Sequence, residues 1–121
     1  MTSPRPLNLR QRAFQFTCDI FDLCQDLTRC PGVARYVASQ LFGAGASVGA
    51  NLEEAKAAYS RKEFAAKTAI SLKECREANY WLRLAEAKSL GNPLMRANVL
   101  RESNELTAIL TACVRHLQTS Q

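Results

Sequence analysis

Residues 60–88 read Ser-Arg-Lys-Glu-Phe-Ala-Ala-Lys-Thr-Ala-Ile-Ser-Leu-Lys-Glu-Cys-Arg-Glu-Ala-Asn-Tyr-Trp-Leu-Arg-Leu-Ala-Glu-Ala-Lys. No glycine or proline interrupts this stretch, and Ser60 and Glu63 have the spacing of a capping box at a helix N-terminus. Apolar or small residues then recur every three or four positions, at Phe64, Thr68, Ser71, Cys75, Ala78, Leu82 and Ala85. This spacing predicts one long helix that packs a single seam into a helical bundle.

Two other sectors of this predicted helix lie outside the seam. At 100° per residue, Ile70, Trp81 and Leu84 form a second apolar sector. A third sector, the basic stripe, extends over roughly 30 Å of helix axis at 1.5 Å per residue. Its members are Lys62, Lys73, Arg76, Tyr80 and Arg83. The stripe is interpreted either as a polyanion site or as a solvated face that Glu77 and other acids partly neutralise.

The same apolar alternation occurs in three further segments. It predicts four helices in all, at about residues 8–29, 33–58, 61–89 and 93–117. The expected inward positions outside the third helix are Leu9, Ala13, Phe16, Ile20, Leu23, Leu27, Val37, Leu41, Ala44, Val48, Leu52, Ala55, Val99, Ser103, Leu106, Leu110, Cys113 and Leu117. The first helix carries an additional stripe of Phe14, Thr17, Phe21 and Cys24. Short turns between long helices predict an all-α, up-down-up-down antiparallel four-helix bundle.

The ends and breaks of these helices follow from local chemistry. Asn8 is the expected N-cap of the first helix, and Cys30-Pro31-Gly32 separates the first helix from the second. Gly91-Asn92-Pro93 provides a C′ glycine, an N-cap and a proline at the first position of the fourth helix. Residues 1–7 contain two prolines and are predicted to form a disordered arm, and residues 118–121 are predicted to be frayed.

Three glycines in the second helix leave two structures open. Gly43, Gly45 and Gly49 each cost up to about 1 kcal/mol relative to alanine in a helix interior. Either the helix breaks into two with a loop at this point, or it continues and the glycines let another backbone approach closely. The apolar spacing keeps its phase through the glycines, which favours the continuous helix.

The composition restricts the class of protein. The chain has 121 residues, 47% of them apolar and 22% charged, which suits one folded domain and excludes a mainly disordered chain. The formal net charge is +5, and residues 61–90 hold seven of the sixteen lysines and arginines against four carboxylates. No apolar run approaches the roughly 20 residues of a membrane span, and the N-terminus lacks an apolar signal core. We therefore expect a cytoplasmic protein that makes no membrane contact.

Residues with catalytic or metal-binding chemistry are few. The five cysteines include no C-x-x-C pair, and the chain has only one histidine, which predicts free thiols. The only histidine, His116, lies in the last turn of a helix, where it interacts favourably with the helix dipole. Glu53-Glu54 is the only pair of adjacent carboxylates in the sequence, and one member is expected to point inward. We therefore expect no catalytic residue, no metal and no cofactor.

Three segments resemble a known family. They are Ser47-Val-Gly-Ala-Asn-Leu-Glu-Glu-Ala, Ser60-Arg-Lys-Glu-Phe, and Lys73-Glu-Cys-Arg-Glu-Ala-Asn-Tyr-Trp-Leu-Arg. The chain resembles the four-helix-bundle proteins encoded in intervening sequences of bacterial large-subunit ribosomal RNA, to which accessory proteins of diversity-generating retroelements are distantly related. The resemblance covers residues 8–117. It implies a bundle that assembles into a homopentamer and, in the retroelement relatives, a basic pentamer that binds nucleic acid and a reverse transcriptase.

The residues and the resemblance together give a functional hypothesis. Exposed apolar patches mark protein–protein interfaces, so Ile70, Trp81, Leu84, Phe14 and Phe21 are the expected oligomer interface, with Trp81 as its anchor. The leading hypothesis is a non-enzymatic homopentamer that binds RNA or DNA through the basic stripe, independently of sequence. The main alternative is a structural adaptor that binds a protein partner without nucleic acid. A third is an enzyme whose site forms between subunits.

Overall fold

The computed structural model describes residues 8–119, which fold into four α-helices. They are α1 (Leu9–Leu27), α2 (Val33–Lys56), α3 (Arg61–Ala87) and α4 (Pro93–Thr119). Each begins within one residue of its predicted start, whereas the first three end two residues earlier than predicted. Helix α4 continues two residues beyond its predicted end, so Gln118 and Thr119 are helical. The predicted arm at residues 1–7 and the last two residues lie outside the described part of the chain.

The helices form the predicted antiparallel bundle. Each helix contacts the next one in the chain, and α1 also contacts α4. Within residues 8–119, α1 and α3 have no Cα atoms within 8 Å of each other, and neither do α2 and α4. The helices therefore lie at the corners of a square, in the order α1, α2, α3, α4, and the core fills its centre. Two opposite faces of the molecule are then formed by α1 with α2 and by α3 with α4.

The core follows the predicted seam except at one end of the bundle. All the predicted inward residues of α2 are buried, as are those of α1 apart from the half-buried Leu9. Phe64, predicted to be inward, is 40% exposed, and Cys113 and Leu117 are half-buried. These positions lie in the first turns of α1 and α3 and the last turns of α4, which meet at the same end. Because no further layer covers that end, the apolar spacing overestimates burial there.

Helix α2 is continuous through its glycines, and two of them lie against α1. A Cβ atom at Gly45 would be 2.5 Å from Cδ1 of Ile20, and one at Gly49 would be 3.6 Å from the backbone of Ala13. The Thr17 hydroxyl also donates to the Gly45 carbonyl at 3.3 Å. The close approach of two helices therefore explains Gly45 and Gly49, as the sequence favoured. Gly43 faces open space and is not explained by packing.

The predicted N-caps of α3 and α4, Ser60 and Asn92, are confirmed, with one change in the capping box of α3. Ser60 Oγ accepts from the Glu63 N–H at 3.0 Å, but the Glu63 carboxylate accepts from the Tyr59 N–H at 3.0 Å instead of from Ser60. Asn92 Oδ1 accepts from the N–H groups of the second and third residues of α4, at 2.9 and 3.1 Å. Each cap satisfies backbone donors that the first helical turn leaves free.

The end of α3 differs from its prediction. Ser89, with φ +53°, is the left-handed residue after the helix, whereas the sequence placed Gly91 there. The Leu90 N–H donates to the Ala85 carbonyl at 2.9 Å, and the Ser89 N–H donates to the Glu86 carbonyl at 3.2 Å. These are the two hydrogen bonds of a Schellman motif. Gly91, with φ +73°, lies two residues further on, and a Cβ there would be 2.5 Å from Leu27 Cδ1.

Arg96 holds this turn together, and no sequence pattern indicated this role. Its side chain is almost completely buried: Nε donates to Glu86 Oε2 at 2.9 Å, and Nη1 donates to the carbonyls of Leu90 and Gly91 at 2.8 and 3.0 Å. The guanidinium thus fixes the chain between α3 and α4 by three charge-assisted hydrogen bonds.

We expect Arg96→Met to lower the free energy of unfolding by about 1–3 kcal/mol, because two backbone carbonyls lose their donor. The Glu86 side chain is half-exposed and can hydrate, which limits the loss. Urea denaturation measures the effect. The control is Arg101→Met, since Arg101 is exposed and donates only to Asn98. Equal stabilities of the two variants would contradict the role assigned to Arg96.

Candidate functional site

The structure places the basic stripe on the outer surface where α3 adjoins α4. Lys62, Lys73, Arg76 and Arg83 are all exposed, and Tyr80 is about half-exposed. Contacts to α4 fix the orientation of this surface, since Arg76 Nη2 donates to the Thr111 hydroxyl at 3.4 Å. Among the ion pairs of residues 8–119, none includes any of these four cations. Among these residues, ion pairs of the stripe with neighbouring acids, which the interpretation as a partly neutralised face involves, are therefore not seen.

The lack of carboxylate partners has a structural cause in α4. Both acids of this helix, Glu102 and Glu105, face α1, where they pair with Arg12 at 2.6 and 3.6 Å. The hydrogen bonds that Arg12 donates to the Glu102 carboxylate raise the pKa of the Arg12 guanidinium above its ordinary value. On α3, the Glu77 carboxylate accepts from the Trp81 Nε1–H at 3.2 Å, towards α2. Glu77, Glu102 and Glu105 thus make contacts outside the stripe.

Side chains of α3 and α4 hold one arginine of the stripe in place. Arg83 Nε donates to Asn79 Oδ1 at 3.0 Å, and its guanidinium lies 5.8 Å from the centroid of the Tyr80 ring. Asn79 Nδ2 in turn donates to Ser103 Oγ and Asn104 Oδ1, both at 2.8 Å. Arg83 is therefore oriented through a short polar network that joins the two helices, which reduces the side-chain entropy that a ligand contact would cost.

The sequence prediction missed one cation beside the stripe. Arg115 on α4 is exposed and lies one turn beyond Thr111, the residue that Arg76 contacts. Residues four positions apart share a helix face, so Arg115 extends the basic surface onto α4. The helical spacing of α4 carries this information, but only once α4 is known to lie beside α3.

The predicted interface residues fall on two different faces, both of which include α2. We define the α1/α2 face by Phe14, Phe21 and Phe42, and the α2/α3 face by Tyr36, Ile70 and Trp81. On the first, Phe14 is 69% and Phe21 50% exposed, and the Phe21 and Phe42 rings meet edge to face at 6.0 Å. Two shallow grooves of about 240 and 260 Å³ run along this face.

On the α2/α3 face, the prediction of unused apolar residues needs correction. Trp81 and Leu84 are half-buried and pack against the core, so a single chain already uses them. The Trp81 ring also meets Tyr36 of α2 edge to face, at 6.1 Å between centroids. Ile70 is 40% exposed, and 11 positions separate it from Trp81, which places the two about 20° apart on the helix. The exposed part of this face is therefore smaller than the sequence suggested.

The two adjacent carboxylates of α2 form ion pairs with neighbouring helices. Glu53 pairs with Arg10 of α1 and Glu54 with Lys67 of α3, both at the surface. The expectation that one of the two carboxylates points inward was therefore wrong.

In the described part of the chain, no cluster of three or more His, Cys, Asp or Glu residues is placed to hold a metal ion. None of the four helices is long and apolar enough within its described residues to cross a membrane.

All five cysteines are free thiols, as predicted. Burial raises the pKa of Cys24 to about 12 and also raises the pKa of Cys75, whereas Cys30 is exposed. At pH 8 we expect iodoacetamide to modify Cys30 at once and Cys24 and Cys75 only after unfolding, because the thiolate is the reactive form. Mass mapping of the modified sites measures this. Rapid modification of Cys24 in the folded chain would contradict the assigned burial.

The same pKa shifts predict how stability depends on pH. An unfolded thiol ionises near pH 8.5, whereas the buried thiols of Cys24 and Cys75 keep their protons to higher pH. The contribution of these two thiols to the free energy of unfolding is thus complete below about pH 8.5. It is lost as the pH rises towards the raised pKa, since the unfolded state then binds fewer protons than the folded state. We expect the double variant Cys24→Ala, Cys75→Ala, although less stable at pH 7, to lose less stability between pH 8 and pH 10. Parallel slopes for the two proteins would contradict this.

Fold and surface together define an antiparallel four-helix bundle with a basic surface on α3 and α4. The chain belongs to the family of 23S rRNA-intervening sequence proteins, whose model matches residues 5–112. It is also similar to a crystal structure of a protein of unknown function from the S23 ribosomal protein family of Bacteroides thetaiotaomicron VPI-5482. The TM-score is 0.78 and the identity 28%, and the match covers 88% of this chain and 97% of the other. A comparison with curated proteins gave no match. The family predicted from the three sequence segments is thereby confirmed.

Proposed function

We propose that this protein is a non-enzymatic homo-oligomer that binds structured RNA or DNA through the basic stripe, independently of sequence. One observation carries the proposal: four exposed cations lie along α3 and have no carboxylate partner among the described residues. Cations on a solvated face are usually interspersed with acids, whereas a row of uncompensated cations attracts phosphates. Binding phosphates releases condensed counterions, which supplies affinity without base-specific contacts.

Self-association would strengthen this binding. A ring of five, the assembly that the sequence resemblance implies, carries a formal charge of +25, five times the +5 of one chain. It also presents five copies of the stripe on one particle, so that a second contact to the same nucleic acid becomes intramolecular. A stripe that binds weakly in one chain therefore becomes an effective site in the ring.

The two apolar faces are suited to such a ring. They differ in composition, with phenylalanines on the α1/α2 face and Ile70, Trp81 and Tyr36 on the α2/α3 face. An interface between unlike faces is heterologous, and it closes into a ring when the rotation between subunits permits. Neighbouring faces of a square bundle point about 90° apart, close to the angles of about 90° and 108° that closed rings of four and five require. The α3/α4 surface takes no part in these contacts.

The adaptor alternative draws on the same α1/α2 face, which can equally take an apolar surface of another protein. Ionic strength separates the two functions, because phosphate binding weakens steeply with salt and an apolar contact does not. With four phosphate contacts per stripe, we expect the logarithm of the binding constant to fall with the logarithm of salt concentration at a slope of about −3.6 for each stripe that the nucleic acid contacts.

The experiment is a fluorescence-anisotropy titration of a labelled RNA hairpin with the purified assembly, at several salt concentrations. Salt-sensitive binding with a slope near the expected value supports the proposal. If a correctly assembled protein fails to bind the hairpin at low salt, the basic stripe is only solvated surface, and the adaptor function takes its place.

A further inference from the structure

The aromatic residue of the basic stripe is already engaged within the protein. The Arg83 guanidinium lies over the ring of Tyr80, 5.8 Å from its centroid, and the ring also meets Trp81 edge to face at 5.2 Å. Proteins that bind single-stranded nucleic acid do so largely by stacking bases on free aromatic faces. Tyr80 is the only aromatic residue among the five members of the stripe, and Arg83 takes the place that a base would need on one side of its ring.

The cations lie along one side of a single uninterrupted helix. Lys62 and Arg83 are 21 residues apart on one uninterrupted helix, which corresponds to roughly 30 Å of axis, or about nine steps of 3.4 Å along a nucleic acid strand. A duplex is stiff over much longer distances, and within about one turn it presents phosphates of both strands to these cations without bending. A flexible single strand would have to be ordered along these cations, at an entropic cost that no stacking offsets.

We propose that the ligand class of the basic stripe is double-stranded nucleic acid, bound through its phosphate backbone with no base stacked on the protein. This inference rests on the proposed function and specifies its ligand. Tyr80 acts as a support that orients Arg83 towards a phosphate. Lys62, Lys73 and Arg76 contact further phosphates of the duplex.

The test compares three labelled probes of equal length: an RNA duplex, a DNA duplex of the same sequence, and an unstructured polyuridine strand. Each is titrated with the wild-type assembly at one low salt concentration, and again with the Tyr80→Leu variant. We expect at least one duplex to bind about fivefold or more tightly than the single strand, and the order of the two duplexes identifies the preferred helix form. Tyr80→Leu should weaken every probe by no more than about threefold, because only the support of Arg83 is lost.

The remaining outcomes have distinct meanings. A single strand that binds as tightly as the duplexes overturns this inference and leaves the proposed function standing. If Tyr80→Leu weakens binding of the single strand alone by about 5- to 150-fold, the range expected when a stacking platform is removed, this inference is also overturned and the proposed function stands. If none of the three probes binds, the proposed function itself fails. A circular dichroism spectrum of Tyr80→Leu confirms that the variant is folded.

Discussion

We expect the triple variant Lys73→Glu, Arg76→Glu, Arg83→Glu to bind a structured RNA at least about 100-fold more weakly than the wild-type assembly at low salt. Each change removes one phosphate contact and places a carboxylate where the phosphate would lie, so that attraction becomes repulsion. The three residues are exposed and form none of the ion pairs of residues 8–119. The changes remove two surface hydrogen bonds, from Arg76 to Thr111 and from Arg83 to Asn79, so the fold should tolerate them, and a circular dichroism spectrum of the variant checks that the measured loss reports binding.

A matched variant separates the position of the charges from their number. Arg29→Glu, Lys56→Glu, Lys88→Glu changes the formal charge by the same amount at exposed positions outside the basic stripe, at the C-terminal ends of α1, α2 and α3. We expect it to lose only about tenfold, the effect of a lower overall charge. Anisotropy titrations of both variants measure the difference. Equal losses would show that the protein attracts nucleic acid through its general charge, and the basic stripe would lose its assigned role.

The fold was predictable because its determinants are local. The first turns of α1, α3 and α4 are each fixed by a side chain next to them in the sequence, at Asn8, Ser60 and Asn92. The end of α3 was placed less well, since Ser89 adopts a left-handed conformation that sequence rules reserve for glycine. That conformation depends on tertiary support, from a Leu90 side chain packed on the core and from Arg96 bound to the turn. No local pattern contains this information.

The candidate site was predictable only as far as a single helix determines it. The exposure of the four cations follows from the helical spacing of α3 alone. Their lack of acid partners depends on Arg12 of α1, which binds both carboxylates of α4 on the side of α4 that faces α1. The same limit applies to Trp81, which the sequence left on an outer sector. A neighbouring helix supplies Tyr36 to cover it, and α2 likewise supplies Phe42 to the exposed rings of α1.

Assembly is open to a similarly direct test. We expect Phe21→Asp and Ile70→Asp each to reduce the assembly to single chains, because each places a charge in the centre of one apolar face. Phe21 is half-exposed on the α1/α2 face and Ile70 is 40% exposed on the α2/α3 face, so neither change opens the core. Multi-angle light scattering measures the mass. The control is Leu94→Asp, an equivalent change at a highly exposed leucine in the first turn of α4.

Mixing the two variants distinguishes a heterologous ring from a symmetric contact. Each variant keeps one intact face, and the intact face of one is complementary to the intact face of the other. If the α1/α2 face of one chain packs on the α2/α3 face of the next, the mixture forms dimers that cannot grow, since both outer faces of the pair carry the aspartate. If like faces pair, Ile70→Asp alone should still dimerise through its phenylalanines, and mixing should add nothing. The mixed dimer should also bind RNA more weakly than the full ring, because it carries two stripes.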